Sequence, residues 1–183
     1  LTYSVLPFEA RTPDVVAEVR RRGWELICHL PMEPQSGANP GPGALTSGMS
    51  AGELTEATRA ALSAVPGAVG VNNHMGSSLS ADAEAMEPIL DVVAENDLFF
   101  LDSRTSAASV GYRLALEKGL PTAERQVFLD PALAGAGRGV AVALGHPHPQ
   151  ALEVLARRGP EALAAGYEFV PVSYLLDRVA PPE

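Results

Sequence analysis

Short apolar runs alternate with amphipathic segments along the chain. The amphipathic segments have helical spacing, and the apolar runs are short enough to be strands. The runs are "LTYSVLPF", "ELICHL", "AVGV", "LFFLD", "QVFLD", "GVAVALGH" and "EFVPVS", and the predicted helices cover 13–22, 50–64, 81–95, 107–118 and 149–158. Such regular alternation predicts an α/β fold with a parallel sheet. Because the runs are apolar throughout, we expect strands covered on both faces, in a barrel or a doubly wound sheet.

Local signals mark several helix ends. Ser50 and Glu53 have the spacing of a capping box, Pro13 stands in a first helical turn, and Gly119 follows the fourth helix as a C-terminal cap. The stretch 34–48 is a long loop rich in Pro and Gly. A loop of this length inside a compact domain is usually functional or mobile.

Composition and charge exclude several classes of protein. A chain of 183 residues with 46% hydrophobic and 19% charged residues fits a single domain, 1–183. The formal net charge is −9, and no basic cluster exceeds the triplet "RRR", so we expect no nucleic-acid partner. The single cysteine excludes an internal disulfide. No apolar run approaches the roughly 18 residues of a membrane span, and no dinucleotide or P-loop motif follows any strand.

Reactive side chains stand where the predicted strands end. Parallel α/β folds build their sites at the carboxyl edge of the sheet, so we expect the three histidines among these side chains to converge in one cleft. A single histidine at a strand end is more simply a buried structural residue, but three together favour a metal site. Neutral imidazoles with carboxylates suit zinc or a similar divalent ion, held by three protein ligands with one position open for water. The residues are His29, Asn72, Asn73, His74, Asp102, Asp130 and His146.

Other candidates near these strand ends keep more than one interpretation. Glu33 could be a metal ligand, a base or simply a loop carboxylate. Ser103 and Arg104 could bind substrate hydroxyls or an anion, but Asp102 followed by Arg104 could equally be a structural ion pair that fixes the loop. The sequence has no H-E-x-x-H spacing, and without a G-x-S-x-G motif a serine nucleophile is poorly supported.

Five segments, in order, carry a resemblance to a known family. They are "RGWELICHLPMEP", "GVNNHMGSSLSAD", "LFFLDSRTSAASVG", "QVFLD" and "VALGHPHPQALEVL". Together they resemble the divergent polysaccharide deacetylase family, a bacterial branch of the polysaccharide deacetylase superfamily. The resemblance runs through nearly the whole chain, and N-N-H-M-G-S followed by D-S-R-T is its most specific part. It implies a distorted parallel (β/α) barrel of about seven strands and a metal-assisted hydrolysis of N-acetyl groups on sugars.

The resemblance also implies roles for single residues. His29 matches the first histidine of the metal-binding motif, Glu33 stands where the second histidine is usual, and His74 lies in the groove-forming segment. These three are expected to hold a divalent metal ion, with zinc as the first choice. His146 matches the late histidine that acts as general acid, and Asp102 would orient a histidine or contact the substrate. The residues expected to bind the carbohydrate substrate are Asn72, Asn73, Ser103 and Arg104.

Two features depart from the family pattern. Members open with a strand that ends in two aspartates, one a metal ligand and the other the catalytic base, whereas this chain begins at what resembles the second strand. The family also has a helix between "FLD" and the strand that carries G-H-P, where this sequence has only "PALAGAGRG". We therefore expect that residues are missing before Leu1 and between Asp130 and Gly139.

The sequence leaves several functions open. A hydrolase that removes N-acetyl groups from a carbohydrate is the leading hypothesis, with an extracytoplasmic location implied by the resemblance although no signal peptide opens this chain. The alternative is a glycan-binding or scaffolding module of the cell envelope that keeps the fold but has lost turnover. Glu33 in place of a histidine and Asn72 in place of an arginine favour that alternative. A phosphoester-cleaving metal barrel is the third interpretation.

Overall fold

Strands and helices alternate through residues 1–128 and 142–176, which are the residues that the computed structural model describes. The strands are β1 (Thr2–Val5), β2 (Glu25–Met32), β3 (Gly70–Met75), β4 (Phe99–Asp102), β5 (Thr122–Glu124), β6 (Val127–Phe128) and β7 (Ala143–Leu144). The helices are α1 (Thr12–Arg21), α2 (Ala51–Ala64), α3 (Ala83–Glu95), α4 (Gly111–Glu117), α5 (Pro149–Ala164) and α6 (Val172–Leu176), with a short 3-10 turn at Leu79–Ala81.

The strands form two parallel sheets. The larger sheet has the order β1-β2-β3-β4-β5, with every neighbouring pair parallel, and β6 pairs in parallel with β7. Parallel neighbours need a crossover connection, which α1, α2, α3 and α4 provide between successive strands of the larger sheet. The prediction of an α/β fold with a parallel sheet is therefore confirmed.

Both faces of the larger sheet are covered, as the continuous apolar runs predict. Successive side chains on a strand point to opposite faces, and here they enter two separate cores. Leu26 and Cys28 pack into the outer core, which the sheet shares with helices α1 to α4. Ile27, between them, joins Leu101 and Val142 in an inner core that also includes residues of α6. Full burial of each such aliphatic side chain contributes about 1.5–3 kcal/mol to folding.

The helix signals act where the sequence predicts them. The side chain of Ser50 accepts a hydrogen bond from the backbone N–H of Glu53, and the Glu53 carboxylate accepts one from the backbone N–H of Ser50 at 2.8 Å. Pro13 lies in the first turn of α1. Gly119 follows α4 with a φ of 71°, a left-handed conformation that glycine adopts without a steric penalty. The boundaries of these helices thus follow from local chemistry.

One predicted strand is wrong, and one observed strand was not predicted. The run "EFVPVS" enters helix α6, because the carboxylate of Glu25 on β2 accepts hydrogen bonds from the backbone N–H groups of Val172 and Ser173 and so caps the helix. Val172 also packs against the inner core. β5 has only three residues and a polar composition, which leaves no apolar run to detect.

Two further expectations concern missing residues after Asp130 and the absence of a membrane span. Asp130 and the stretch from it to Gly139 lie outside the described residues, so the expectation of missing residues there stays a prediction. Within residues 1–128 and 142–176, every helix is too short or too polar to cross a lipid bilayer.

Candidate functional site

Two histidines meet at the carboxyl edge of the larger sheet. His74 is the residue before the last of β3, whereas His29 lies three residues before the end of β2, because that strand continues beyond the predicted run to Met32. The register pairs His29 with Asn72, two residues before His74. The Nδ1 atom of His74 lies 3.0 Å from the Nε2 atom of His29, and the two rings meet edge to face at an interplanar angle of 64°. Both side chains project from the inner face of the sheet, because residues two apart on a strand share a face: His29 follows Ile27 by two positions, and His74 follows Asn72 by two.

Burial keeps this histidine pair neutral. The pKa of His29 is lowered from its usual value to about 4, first by desolvation and then by repulsion from His74 and His146, while the hydrogen bond with Asn72 acts in the opposite direction. The pKa of His74 is also lowered, first by burial and then by His146. Neutral imidazoles carry the free lone pair that a metal ligand needs.

Asn72 connects the histidine pair to two neighbouring strands. Its side chain is 1% exposed. Its Oδ1 atom lies 3.0 Å from His29 Nδ1 and also accepts a hydrogen bond from the hydroxyl of Ser4 on β1. Its Nδ2 atom donates to Ser103 Oγ at 3.1 Å. An amide oxygen facing Nδ1 requires the proton of His29 on that nitrogen, which leaves the lone pair of Nε2 facing His74.

Asn73 points to the opposite face from its neighbours. Its Oδ1 atom accepts a hydrogen bond from the backbone N–H of Ser103 at 2.8 Å, and its Nδ2 atom donates to the carbonyl of Met75 at 2.9 Å. The hydroxyl of Thr105 donates to the same carbonyl at 2.7 Å. Asn73 therefore braces the loop after β4 against the end of β3.

Asp102, like Asn73, forms hydrogen bonds with the segment that follows β4. Its carboxylate is fully buried and accepts three hydrogen bonds, from the backbone N–H of Arg104 at 2.8 Å, the hydroxyl of Ser109 at 2.7 Å and the backbone N–H of Tyr112 at 3.1 Å. All three donors lie in the loop and helix that follow β4. The carboxylate thus fixes the course of that loop.

Arg104 forms its ion pair with Glu124 rather than with the neighbouring aspartate. The Nη1 atom of Arg104 lies 2.8 Å from Glu124 Oε2 on β5. Arg125 supports the same loop, because its guanidinium donates to the carbonyls of Ser103 and Arg104 at 2.7 Å. The backbone of Arg104 has a φ of 47°, a left-handed conformation. The loop after β4 is thus held from several sides.

Glu33 and His146 complete the set of residues expected from the sequence. The carboxylate of Glu33 accepts hydrogen bonds from the backbone N–H and the hydroxyl of Ser47, at 2.6 and 2.7 Å, and these bonds lower its pKa. His146 is exposed on the segment between β7 and α5, with its ring centroid 5.7 Å from that of His148. It is near enough to His29 and His74 to lower the pKa of both.

The structure therefore brings together His29, His74 and Asn72, with His146 beside them. Among the described residues, no group of three or more His, Cys, Asp or Glu side chains is placed to hold a metal ion. Ser4, which contacts Asn72, was not among the candidates, and its only signal in the sequence is a small hydroxyl side chain inside a mostly apolar run. The catalytic, metal-binding and substrate-binding roles stay predictions.

Two bacterial proteins are similar in sequence to this chain. The chain is 34% identical over 182 residues to an uncharacterized protein of Haemophilus influenzae, covering 91% of this chain and 65% of that protein. It is 31% identical over 169 residues to the uncharacterized protein YibQ of Escherichia coli, covering 85% of this chain and 53% of that protein. The chain thus spans between half and two thirds of the length of these relatives.

A solved structure has the same fold. The crystal structure of the uncharacterized protein ATU2773 from Agrobacterium tumefaciens superposes with a TM-score of 0.86 and 25% sequence identity, over 96% of this chain and 78% of that one. The family profile named divergent polysaccharide deacetylase matches residues 1–176. With the profile matching almost the entire sequence, the chain belongs to the divergent polysaccharide deacetylase family.

Proposed function

We propose that this chain carries the site of a metal-dependent hydrolase that removes N-acetyl groups from a carbohydrate polymer or oligosaccharide. The observation that carries the proposal is the contact between His29 and His74, two nitrogen atoms 3.0 Å apart at the carboxyl edge of the sheet. Family membership supports the substrate class.

The histidine pair fits a metal ion as two of its ligands. Nitrogen ligands at roughly 2.0–2.1 Å from a tetrahedral zinc ion are about 3.3 Å apart, so the pair would need to open by a few tenths of an ångström. His74 would also have to move its proton from Nδ1, which faces the lone pair of His29 Nε2, to its own Nε2. The lowered pKa of both rings keeps them unprotonated at neutral pH. A catalytic zinc site uses a third protein ligand, and Glu33, the expected one, has its carboxylate bound to Ser47. We therefore assign the ligands His29 and His74 and leave the third open.

The residues around the pair would divide the work of amide hydrolysis. A bound divalent ion supplies a Lewis acid that polarises the acetamide carbonyl and activates water. Asn72 holds the proton of His29 on Nδ1 and so keeps Nε2, which faces His74, unprotonated. His146, exposed beside the pair, would carry the proton that the leaving amine needs. Asp102 would act through the loop after β4, which it holds in place.

A metal titration and an acetate-release assay test this proposal. The full-length protein should bind about one zinc ion and release acetate from chito-oligosaccharides or peptidoglycan. His29→Ala should abolish both, because it removes one of the two nitrogen ligands. His148→Ala is the matched control, since that exposed histidine lies outside the pair and should leave metal binding intact. Full activity of His29→Ala would contradict the proposal.

The engaged carboxylate of Glu33 favours a second candidate function. Its two hydrogen bonds to Ser47 tie it to the loop after β2, so it resembles a loop residue more than a metal ligand. A chain with an incomplete ligand set would serve as a glycan-binding or scaffolding module of the cell envelope. Such a module would bind chito-oligosaccharides with no acetate release, and His29→Ala would not change that binding.

A further inference from the structure

Backbone strain is concentrated at the edge that carries the histidine pair. Four residues other than glycine have a positive φ, counting only the described residues. Three of them stand at the carboxyl ends of strands: Phe8 at 63° after β1, Met75 at 52° at the end of β3, and Arg104 at 47° after β4. The fourth, Asp97, closes helix α3, where this conformation is common. For a bulky side chain such as Phe8 a positive φ is an outlier, and outliers of this kind cluster at ligand-binding sites.

The turn around Phe8 is held in this conformation by Thr12. The hydroxyl of Thr12 donates to the carbonyl of Leu6 at 2.7 Å and accepts from the backbone N–H of Glu9 at 3.1 Å. The backbone N–H of Thr12 also donates to the carbonyl of Glu9 at 3.0 Å. These bonds bracket Phe8 on both sides, so the fold fixes the backbone of the turn from which its ring projects.

The ring of Phe8 lies against the backbone of Gly43 in the loop 34–48. A Cβ atom at Gly43 would stand 2.5 Å from two carbon atoms of the ring, a distance that no side chain can occupy. Even so, Phe8 keeps 43% of its surface exposed. The side chain therefore has one part covered by the loop after β2 and another part open to solvent.

The loop that covers Phe8 suits a neutral, polyhydroxylated ligand, and the charged group beside it is the carboxylate of Glu9, 3.4 Å from where a Cβ atom of Gly41 would lie. Between Glu33 and Glu53 the chain carries no charged residue, and the loop 34–48 is made of Pro, Gly, Ala, Leu, Ser, Thr, Asn and Gln. The net charge of −9 disfavours a polyanion. Aromatic rings with a few polar neighbours are the usual lining of small-molecule sites. A pyranose ring with equatorial substituents offers an apolar face of C–H groups that packs well on such a ring.

We propose that the open face of Phe8 is a binding platform for one pyranose ring of an oligosaccharide. The next sugar unit of the same oligosaccharide would reach the histidine pair. The topology brings the turn after β1 to the same edge of the sheet as the pair, because β1 runs parallel to β2 with Val5 opposite Cys28, one residue before His29. The proposal rests on the proposed function for its choice of ligand. It adds that the substrate is a chain of at least two sugars, bound beyond the reacting one.

Direct binding measurements test the platform without relying on turnover. Calorimetry with chitotetraose should show that Phe8→Leu raises the dissociation constant about two- to ten-fold. Phe8→Tyr should keep the wild-type dissociation constant because it retains the aromatic ring. Trp24→Leu is the matched control. Trp24 is 40% exposed and aromatic, but it stands at the amino end of β2, stacked on Tyr3. Circular dichroism checks that each variant is folded.

A second measurement keeps the proposal testable if Phe8→Leu does not fold. Trp24 is the only tryptophan of the chain, so Phe8→Trp in a Trp24→Phe background places the single indole at the platform. Its fluorescence should change on addition of chitotetraose, and the wild-type fluorescence should not. Three outcomes would overturn the platform: no change in the fluorescence of the indole at position 8, equal affinity of Phe8→Leu and wild type for chitotetraose, or no chitotetraose binding at all. Ring-dependent binding without acetate release would instead refute only the proposed hydrolase.

Discussion

The Oδ1 atom of Asn72 lies 3.0 Å from the Nδ1 atom of His29, across the neighbouring strands β2 and β3. This contact selects the tautomer of His29 and leaves its Nε2 lone pair facing His74. The sequence suggested a substrate-binding role for Asn72, but its burial and its contacts favour a positioning role. Partners of this kind, which orient a metal-binding imidazole from behind, strongly affect metal affinity.

Replacing Asn72 should therefore weaken metal binding as well as stability. In Asn72→Leu, the Nδ1 proton of His29 and the hydroxyls of Ser4 and Ser103 lose their partner. We expect zinc affinity to fall about 10- to 100-fold and the free energy of unfolding to fall by about 1–3 kcal/mol. Zinc titration against a competing chelator and urea unfolding measure the two effects.

A conservative variant and a matched control separate the two effects. Asn72→Asp retains an acceptor for His29 Nδ1 and should recover most of the zinc affinity. Asn96→Leu is the control, because that amide only donates to the carbonyl of Val92 at the end of α3, far along the chain from the pair. Unchanged zinc affinity in Asn72→Leu would show that His29 needs no orienting partner.

The sheet and the location of the site could be predicted from the sequence because both follow from local periodicity. Apolar runs identify strands buried on both faces, and parallel strands bring their carboxyl ends to one edge. The roles of adjacent residues could not be read this way. Asn72 and Asn73 are identical in type, yet the pleat sends one to His29 and the other to the loop after β4. Whether the odd-numbered or the even-numbered residues of a strand face the inner core depends on how distant elements pack.

Two helices differ from the expectation, and a tertiary contact explains one of the differences. Helix α5 was expected to end at 158, before Gly159 and Pro160, but it continues to Ala164 with Pro160 inside it, and nothing in the structure explains this extension. Helix α6 forms in an apolar, strand-like run because Glu25, about 150 positions earlier, caps it. Long-range partners of this kind leave no local signature.

Asp102 should prove to be a structural residue. In Asp102→Ala, the backbone N–H groups of Arg104 and Tyr112 and the hydroxyl of Ser109 lose a buried acceptor. We expect the free energy of unfolding to fall by about 3 kcal/mol, measured by urea denaturation. Asp91→Ala, which breaks an exposed contact with Lys118, should cost no more than about 1 kcal/mol. If Asp102→Asn is as stable as the wild type and yet inactive, Asp102 is catalytic, as the sequence suggested.

The neutral state of His29 should make the metal-free chain less stable in mild acid. Burial lowers the pKa of His29 to about 4, against about 6.5 in the unfolded chain. Between these values the unfolded state binds more protons, so stability is fully present above about pH 6.5 and is lost as the pH falls toward 4. The loss should amount to about 2–4 kcal/mol. Urea unfolding in EDTA at several pH values measures it.

Comparison with a variant isolates this contribution from that of the carboxylates, which also titrate in acid. His29→Gln has no imidazole at this position, so the difference in stability between wild type and variant should shrink as the pH falls from 7 to 4. A difference that stays constant over this range would mean that His29 is not held neutral by burial.

Gly76 should be needed for the position of His74. It follows Met75 with a φ of 85°, and a Cβ atom there would stand 2.9 Å from the Cβ atom of Met32. Gly76→Ala should therefore destabilise the chain by about 1–3 kcal/mol and, by shifting the end of β3, weaken zinc binding. Gly52→Ala is the matched control, since that position lies in α2 with open space around it and should gain about 0.5–1 kcal/mol. Wild-type stability and zinc affinity in Gly76→Ala would show that the end of β3 tolerates rearrangement, and the His29–His74 contact would then not depend on this turn.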